Sequence, residues 1–340
     1  MRSGAALCVT FALAGCASPG HLPPPAAPLV WPSPPEPARI ALASEFHGPR
    51  DLSINPGFFR RVVSLIFGGT EDLFVRPYAV AVLGDAPAGP SRIAVTDIEA
   101  KAVHLLDLDG GSYVRITEAG EDGPFVSPVG AAFDGAGRVY VVDSTKRLLV
   151  RYTAEGELDR VLGRAFSRPT GVAIDAKRGV VYVSDPIAHS VFRFDLDGHP
   201  LAVPTVPLPF DGPTHLAVDR SGQLLVSDGL AFHVSVVSPE GVLLGTVGQL
   251  GDSSGELSRP KGVAADSEGH VYVADALFDN VQIFDLEGRF LLPFGTAGDA
   301  PGELALPAGV AIDARDLVYV ADAWNGRVQV FRYVKGEAVK

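Results

Sequence analysis

The stretch GPTHLAVD (212–219) carries His215 where the near-copies RPTGVAID (168–175) and RPKGVAAD (259–266) carry glycine. An imidazole at a repeated backbone position is equipped to ligate a metal or to hydrogen bond. A second chemistry is offered by Arg76, Arg168 and Arg259, which immediately precede prolines, with Lys261 nearby. Such cations suit an anionic ligand or a peptide carboxylate, unless acids such as those in GEDGPF (120–125) neutralise them. Aspartates recur at one place, Asp97, Asp143, Asp185, Asp228, Asp275 and Asp322, and that regularity points to a turn-stabilising hydrogen bond in every repeat rather than to one site. Gly-x-Ser-x-Gly, paired cysteines and phosphate loops do not occur, so nucleophilic and nucleotide chemistry have no support.

The elements that must hold these residues repeat along the chain. Pro77, Pro128, Pro169, Pro213, Pro260 and Pro307 each open an alternating apolar segment, followed by a small turn and a strand ending in one of the aspartates, as in VYVSD or VYVAD. A third β-rich run follows, such as VFRFD (191–195), and then a glycine turn leads to a fourth, such as FLLPFG (290–295). Four short strands per repeat, every 40 to 50 residues or so, describe the blades of a β-propeller, with six copies present. The last copy stops after its third strand, VQVFRYV (328–334), so ARIALAS (38–44) is expected to complete that blade and close the ring. Between it and blade one, NPGFFRRVVSLIFGG (55–69) has helical spacing, with Asn55 as N-cap, Pro56 at the first position and Gly68 as stop. The fold expected is all-β: a six-bladed propeller closed by an N-terminal strand, with one short inserted helix.

The repeats resemble NHL repeats, and LALPAGVAIDARDLVYVADAWNGRVQVF (304–331) follows that pattern almost throughout. In a propeller the connection into the first strand and the loop between the second and third open on one face, the top. Two residues past each proline stand Ala79, Gly130, Gly171, His215, Gly262 and Gly309, which places His215 at the channel. Resemblance to NHL-type peptidyl-hydroxyglycine amidating lyases implies zinc at such a histidine. With one histidine in the series, His189 and His233 in the second-to-third strand loops are the candidates to complete the three ligands a catalytic zinc needs. The alternative is a channel-lining histidine engaged in hydrogen bonding, and it is the expectation adopted. Lactonase-type propellers hold a divalent cation, such as calcium, with inward carboxylates that the inner strands here lack. No cofactor is expected, with zinc or calcium as the alternative.

The N-terminus supplies an address. Residues 1–15 combine Arg2 with a short apolar run, and Leu13-Ala14-Gly15-Cys16 resembles a bacterial lipobox, which implies a signal peptide and a lipidated Cys16. Ala17 and Ser18, with no aspartate after the cysteine, favour the outer membrane by the same resemblance. Residues 16–37 are proline-rich and read as a tether, 38–334 as the propeller and 335–340 as a tail. The formal charge of −12 removes the electrostatic footprint of nucleic-acid binding.

The loops after the strand-ending aspartates carry Leu230, Phe232, Leu277, Phe278 and Trp324, an expected apolar patch for a partner or ligand. The function expected is binding of a protein, peptide or small ligand at the top face by an envelope-anchored propeller, through Arg76, Arg168, His215, Phe232, Arg259, Lys261, Phe278 and Trp324. The alternative is a metal-dependent lyase or hydrolase.

Overall fold

The inner strands form a closed ring. In the computed structural model, which describes residues 28–52, 54, 72–84, 91–164, 166–206 and 208–334, each inner strand packs on the next, and Pro307–Ile312 returns to Pro77–Leu83. Each blade is an antiparallel sheet, and the first five run in chain order from channel to rim. Second strands such as Val139–Asp143 and Val271–Asp275 are buried at every residue, and Arg92–Asp97 and Leu317–Asp322 at all but the first, because each blade is covered on both faces by its neighbours. Apolar side chains therefore point both ways from the sheet. Among the described residues the core divides into six clusters, one at each blade-to-blade interface.

The expected N-terminal closure is present. Ile40–Phe46 pairs with Arg327–Tyr333 from Ile40 opposite Tyr333 to Phe46 opposite Val328, joining the two ends of the propeller in one blade. The sheet then continues into the stretch assigned to the tether. Val30–Trp31 adds a fifth strand on Ile40–Ala41, and the Trp31 ring packs against Phe331 and Phe294 at centroid distances of 5.6 and 6.3 Å. Its proline-rich composition suggested an extended spacer, but an apolar pair beside an open strand edge gains by covering it. The lipobox, Cys16, the helix expected over 55–69 and the 335–340 tail lie outside the described residues.

The prolines set the geometry of the channel. Proline cannot donate to the ladder and sits at the start of the inner strand, where the register shifts, as between Pro213 and His215 or between Pro77 and Ala79. Past that shift the inner strands crowd together. A Cβ on Gly171 would lie 2.3 Å from the Thr214 carbonyl oxygen, and one on Gly262 2.4 Å from that of Ala308. Glycine is required there by the neighbouring backbone, and this sparse ring leaves room for the one imidazole.

Candidate functional site

The strand-ending aspartates build the top face. Each is buried, and its carboxylate accepts hydrogen bonds from the backbone before the inner-strand proline of its own blade and from the loop that follows it. Asp275 accepts from the Ser258, Arg259, Leu277 and Phe278 amides, the shortest at 2.7 Å, and Asp185 from those of Ser167, Arg168, Ile187 and Ala188, the shortest at 2.6 Å. The loop backbone is tied to the same segment, with the Ala276 amide on the Arg259 carbonyl and the Trp324 amide on that of Ala305. The pre-proline cations and the loop side chains are thereby held on one rigid rim.

Two residues past these aspartates, a repeated loop position presents apolar side chains. Ile187 is 60% exposed, Leu230 64%, Leu277 62% and Trp324 64%, so four consecutive blades carry a large apolar group into solvent. Phe232 and Phe278, expected in the same patch, are half-buried. Phe232 occupies the turn position with φ of 59°, and Phe278 lines a groove beside Asp252, Asn280 and Pro293, away from the ring.

His215 lies in the channel as expected, 8% exposed, with Ala79, Gly130, Gly171, Gly262 and Gly309 around it. The expected hydrogen bond is absent among the described residues, where neither ring nitrogen meets a protein partner. The ring stacks instead on Tyr78, reached from another blade, at 5.6 Å between centroids. Burial, reinforced by the charge of Lys261, lowers the imidazole from 6.5 to about 3 and keeps it neutral. The Lys261 ammonium lies 4.8 Å from the centre of the Tyr78 ring and is itself lowered to about 8 by burial and by Arg259. Burial raises the Tyr78 phenol, against the opposing fields of Arg259 and Arg168. Arg76 is placed differently: it pairs with Glu99 at 3.2 Å and stacks over Trp324 at 5.1 Å.

The candidate metal ligands are not brought together. The His189 Nδ1 bonds the Asp211 carbonyl at 2.6 Å, the His233 Nε2 approaches the Ser235 hydroxyl at 3.3 Å, and His215 stays in the channel. Among the described residues no group of three or more His, Cys, Asp or Glu side chains is placed to hold a metal ion. Tyr78 and Ile187 are the site residues that the sequence reading missed. Ile187 shares the loop position of Leu230, Leu277 and Trp324, and that register was the available signal; Tyr78 offered none, since its equivalents are Val129, Thr170, Thr214, Lys261 and Ala308.

The NHL repeat family matches residues 257–284 and 304–331, the regions of blades five and six. Among solved structures, a Bacteroides thetaiotaomicron protein of unknown function is similar at 18% identity and TM-score 0.60, over 76% of this chain and 70% of that one. An auxiliary nutrient binding protein from Bacteroides ovatus is similar at 16% identity and TM-score 0.59, over 77% and 70%. Virginiamycin B lyase from Staphylococcus aureus is similar at 13% identity and TM-score 0.56, over 76% and 96%. At these identities the likeness is one of fold. No curated protein sequence matches the chain.

Proposed function

We propose that this six-bladed, NHL-repeat propeller is an envelope protein, anchored through a lipid on Cys16, that recognises a protein, peptide or small ligand on its top face. The observation that carries the proposal is the arc of Ile187, Leu230, Leu277 and Trp324 exposed around a cationic channel mouth. Large apolar side chains are stabilised by roughly 1.5–3 kcal/mol each when fully covered, so a ligand that shields several of them gains affinity. The rim that presents them is fixed by the buried aspartates, which limits the ordering cost of binding. A fold shared with a protein described as nutrient binding supports the same role. The histidines read from the sequence as candidate metal ligands, His189, His215 and His233, meet separate partners among the described residues.

The test is capture from an envelope extract by immobilised wild type and by Trp324→Ala. Tryptophan dominates interface hot spots, so the variant is expected to bind at least about 2 kcal/mol more weakly while remaining folded. Equal recovery of every captured species by the two proteins would reject the top face as the site.

A further inference from the structure

Three cations stand at the channel mouth without a side-chain ion pair among the described residues. Arg168 and Arg259 both act on the Tyr78 hydroxyl, and the Lys261 ammonium lies over the ring of the same tyrosine. Among the described residues none of the three pairs with a carboxylate, although other cations near this face do: Arg76 takes Glu99, and Arg164 takes Asp122 of the acidic stretch. Beneath them His215, more than nine-tenths buried, directs two unpartnered ring nitrogens into the channel. A half-buried lysine beside Arg259 is an unfavourable arrangement that an anion would relieve. The cavity that His215 lines measures about 40 Å³, room for water but not for an organic group, so a ligand's body must remain outside. Outside, the apolar arc from Ile187 to Trp324 lies on the same face.

We propose that the mouth formed by Tyr78, Arg168, His215, Arg259 and Lys261 binds the carboxylate of an amphiphilic organic acid, whose apolar body lies against the arc of Ile187, Leu230, Leu277 and Trp324. This rests on the top-face function above and names its ligand class. The arginines supply charged N–H donors, Lys261 a point charge, and the Tyr78 hydroxyl a further donor at the channel axis. A bound carboxylate holds Lys261 in its charged form against the burial and the Arg259 charge that lower it to about 8. The groups facing that ammonium are Tyr78, His215 and Arg259, and Arg168 acts on the same tyrosine. His215 is held neutral and Lys261 is lowered to about 8, so alkaline release is assigned to Lys261.

The experiment uses 1-naphthylacetate and its uncharged partner 1-naphthylacetamide, titrated into the intact propeller by calorimetry, with inorganic phosphate as competitor. The acid is expected to bind at least about tenfold more tightly than the amide, the effect of a hydrogen-bonded charge pair. Lys261→Met, which keeps the aliphatic stem, and the exposed pair Arg168→Gln with Arg259→Gln are each expected to remove that preference. Affinity for the acid should fall about tenfold between pH ~7 and ~9.5 as Lys261 loses its proton. Equal binding of acid and amide, with Trp324→Ala weakening both, would overturn the carboxylate site and leave top-face recognition standing. Absence of saturable acid binding at millimolar concentration would also overturn it, and preferential binding of inorganic phosphate would overturn the assignment of the carboxylate.

Discussion

Replacing His215 with glycine, the residue at this position in four other blades, should make the propeller more resistant to acid. The free imidazole titrates near 6.5, but burial and Lys261 hold it at about 3 in the folded protein. Above pH 6.5 the ring is neutral whether the chain is folded or not, so it contributes no pH dependence. Between 6.5 and 3 the unfolded chain binds a proton that the folded chain refuses, so stability falls as the pH falls. Each pH unit across that window costs up to about 1.4 kcal/mol, which amounts to about 3 kcal/mol by pH 4 and about 5 kcal/mol when the shift is complete. Urea unfolding followed by circular dichroism at a series of pH values gives wild type and His215→Gly on one scale. The variant loses the Tyr78 stack and is expected to be slightly less stable at pH 8, yet its stability should decline less steeply below 6.5, and the curves should cross. Parallel curves for the two proteins across pH 4–7 would refute the claim that the channel holds this histidine neutral.

His104 is the companion case. Burial lowers it to about 4 against the Asp97 carboxylate 3.9 Å away, so His104→Gln, matching Gln282 and Gln329 in blades five and six, should make stability decline less steeply between pH 6.5 and 4 in the same assay. Asp275→Ala leaves four buried or half-buried amides without their acceptor and is expected to cost at least about 3 kcal/mol in urea unfolding. Phe331→Ala opens a cavity between Trp31 and Phe294 where the chain ends meet, at a cost of about 3–5 kcal/mol in the same measurement. On the proposed lipid anchor, Cys16→Ser should move the protein out of the membrane fraction, as scored by fractionation and metabolic lipid labelling, and a variant that stayed tightly membrane-bound would reject the anchor.

The architecture was legible in the sequence because it is repeated six times: the proline starts, the VYVSD-type second strands and the unfinished last blade specify six sheets and the strand that closes them. The aspartate role was legible for the same reason, since one residue per blade in one register implies one structural task. The channel mouth was less so. Tyr78 reaches His215 from another blade, a tertiary contact that no local pattern encodes. Arg76, Arg168 and Arg259 occupy one sequence position, yet only Arg76 meets a carboxylate among the described residues, because Glu99 stands in its own blade's loop where blades three and five carry Ile187 and Leu277. Aromatic type misled the choice of patch residues: Phe278 turns into a lateral groove, whereas aliphatic Ile187 stands in the ring.

Amide hydrogen exchange on the propeller, free and after loading from an envelope extract, tests the top face most directly. Recognition there predicts slowed exchange in the loops 186–189, 229–232, 276–279 and 323–326 and in the pre-proline segments around Arg168 and Arg259. The opposite-face turns 134–138, 219–223 and 266–270 should be unchanged. Protection of those turns or of the outer strands, with the top-face loops exchanging as in the free protein, would contradict it.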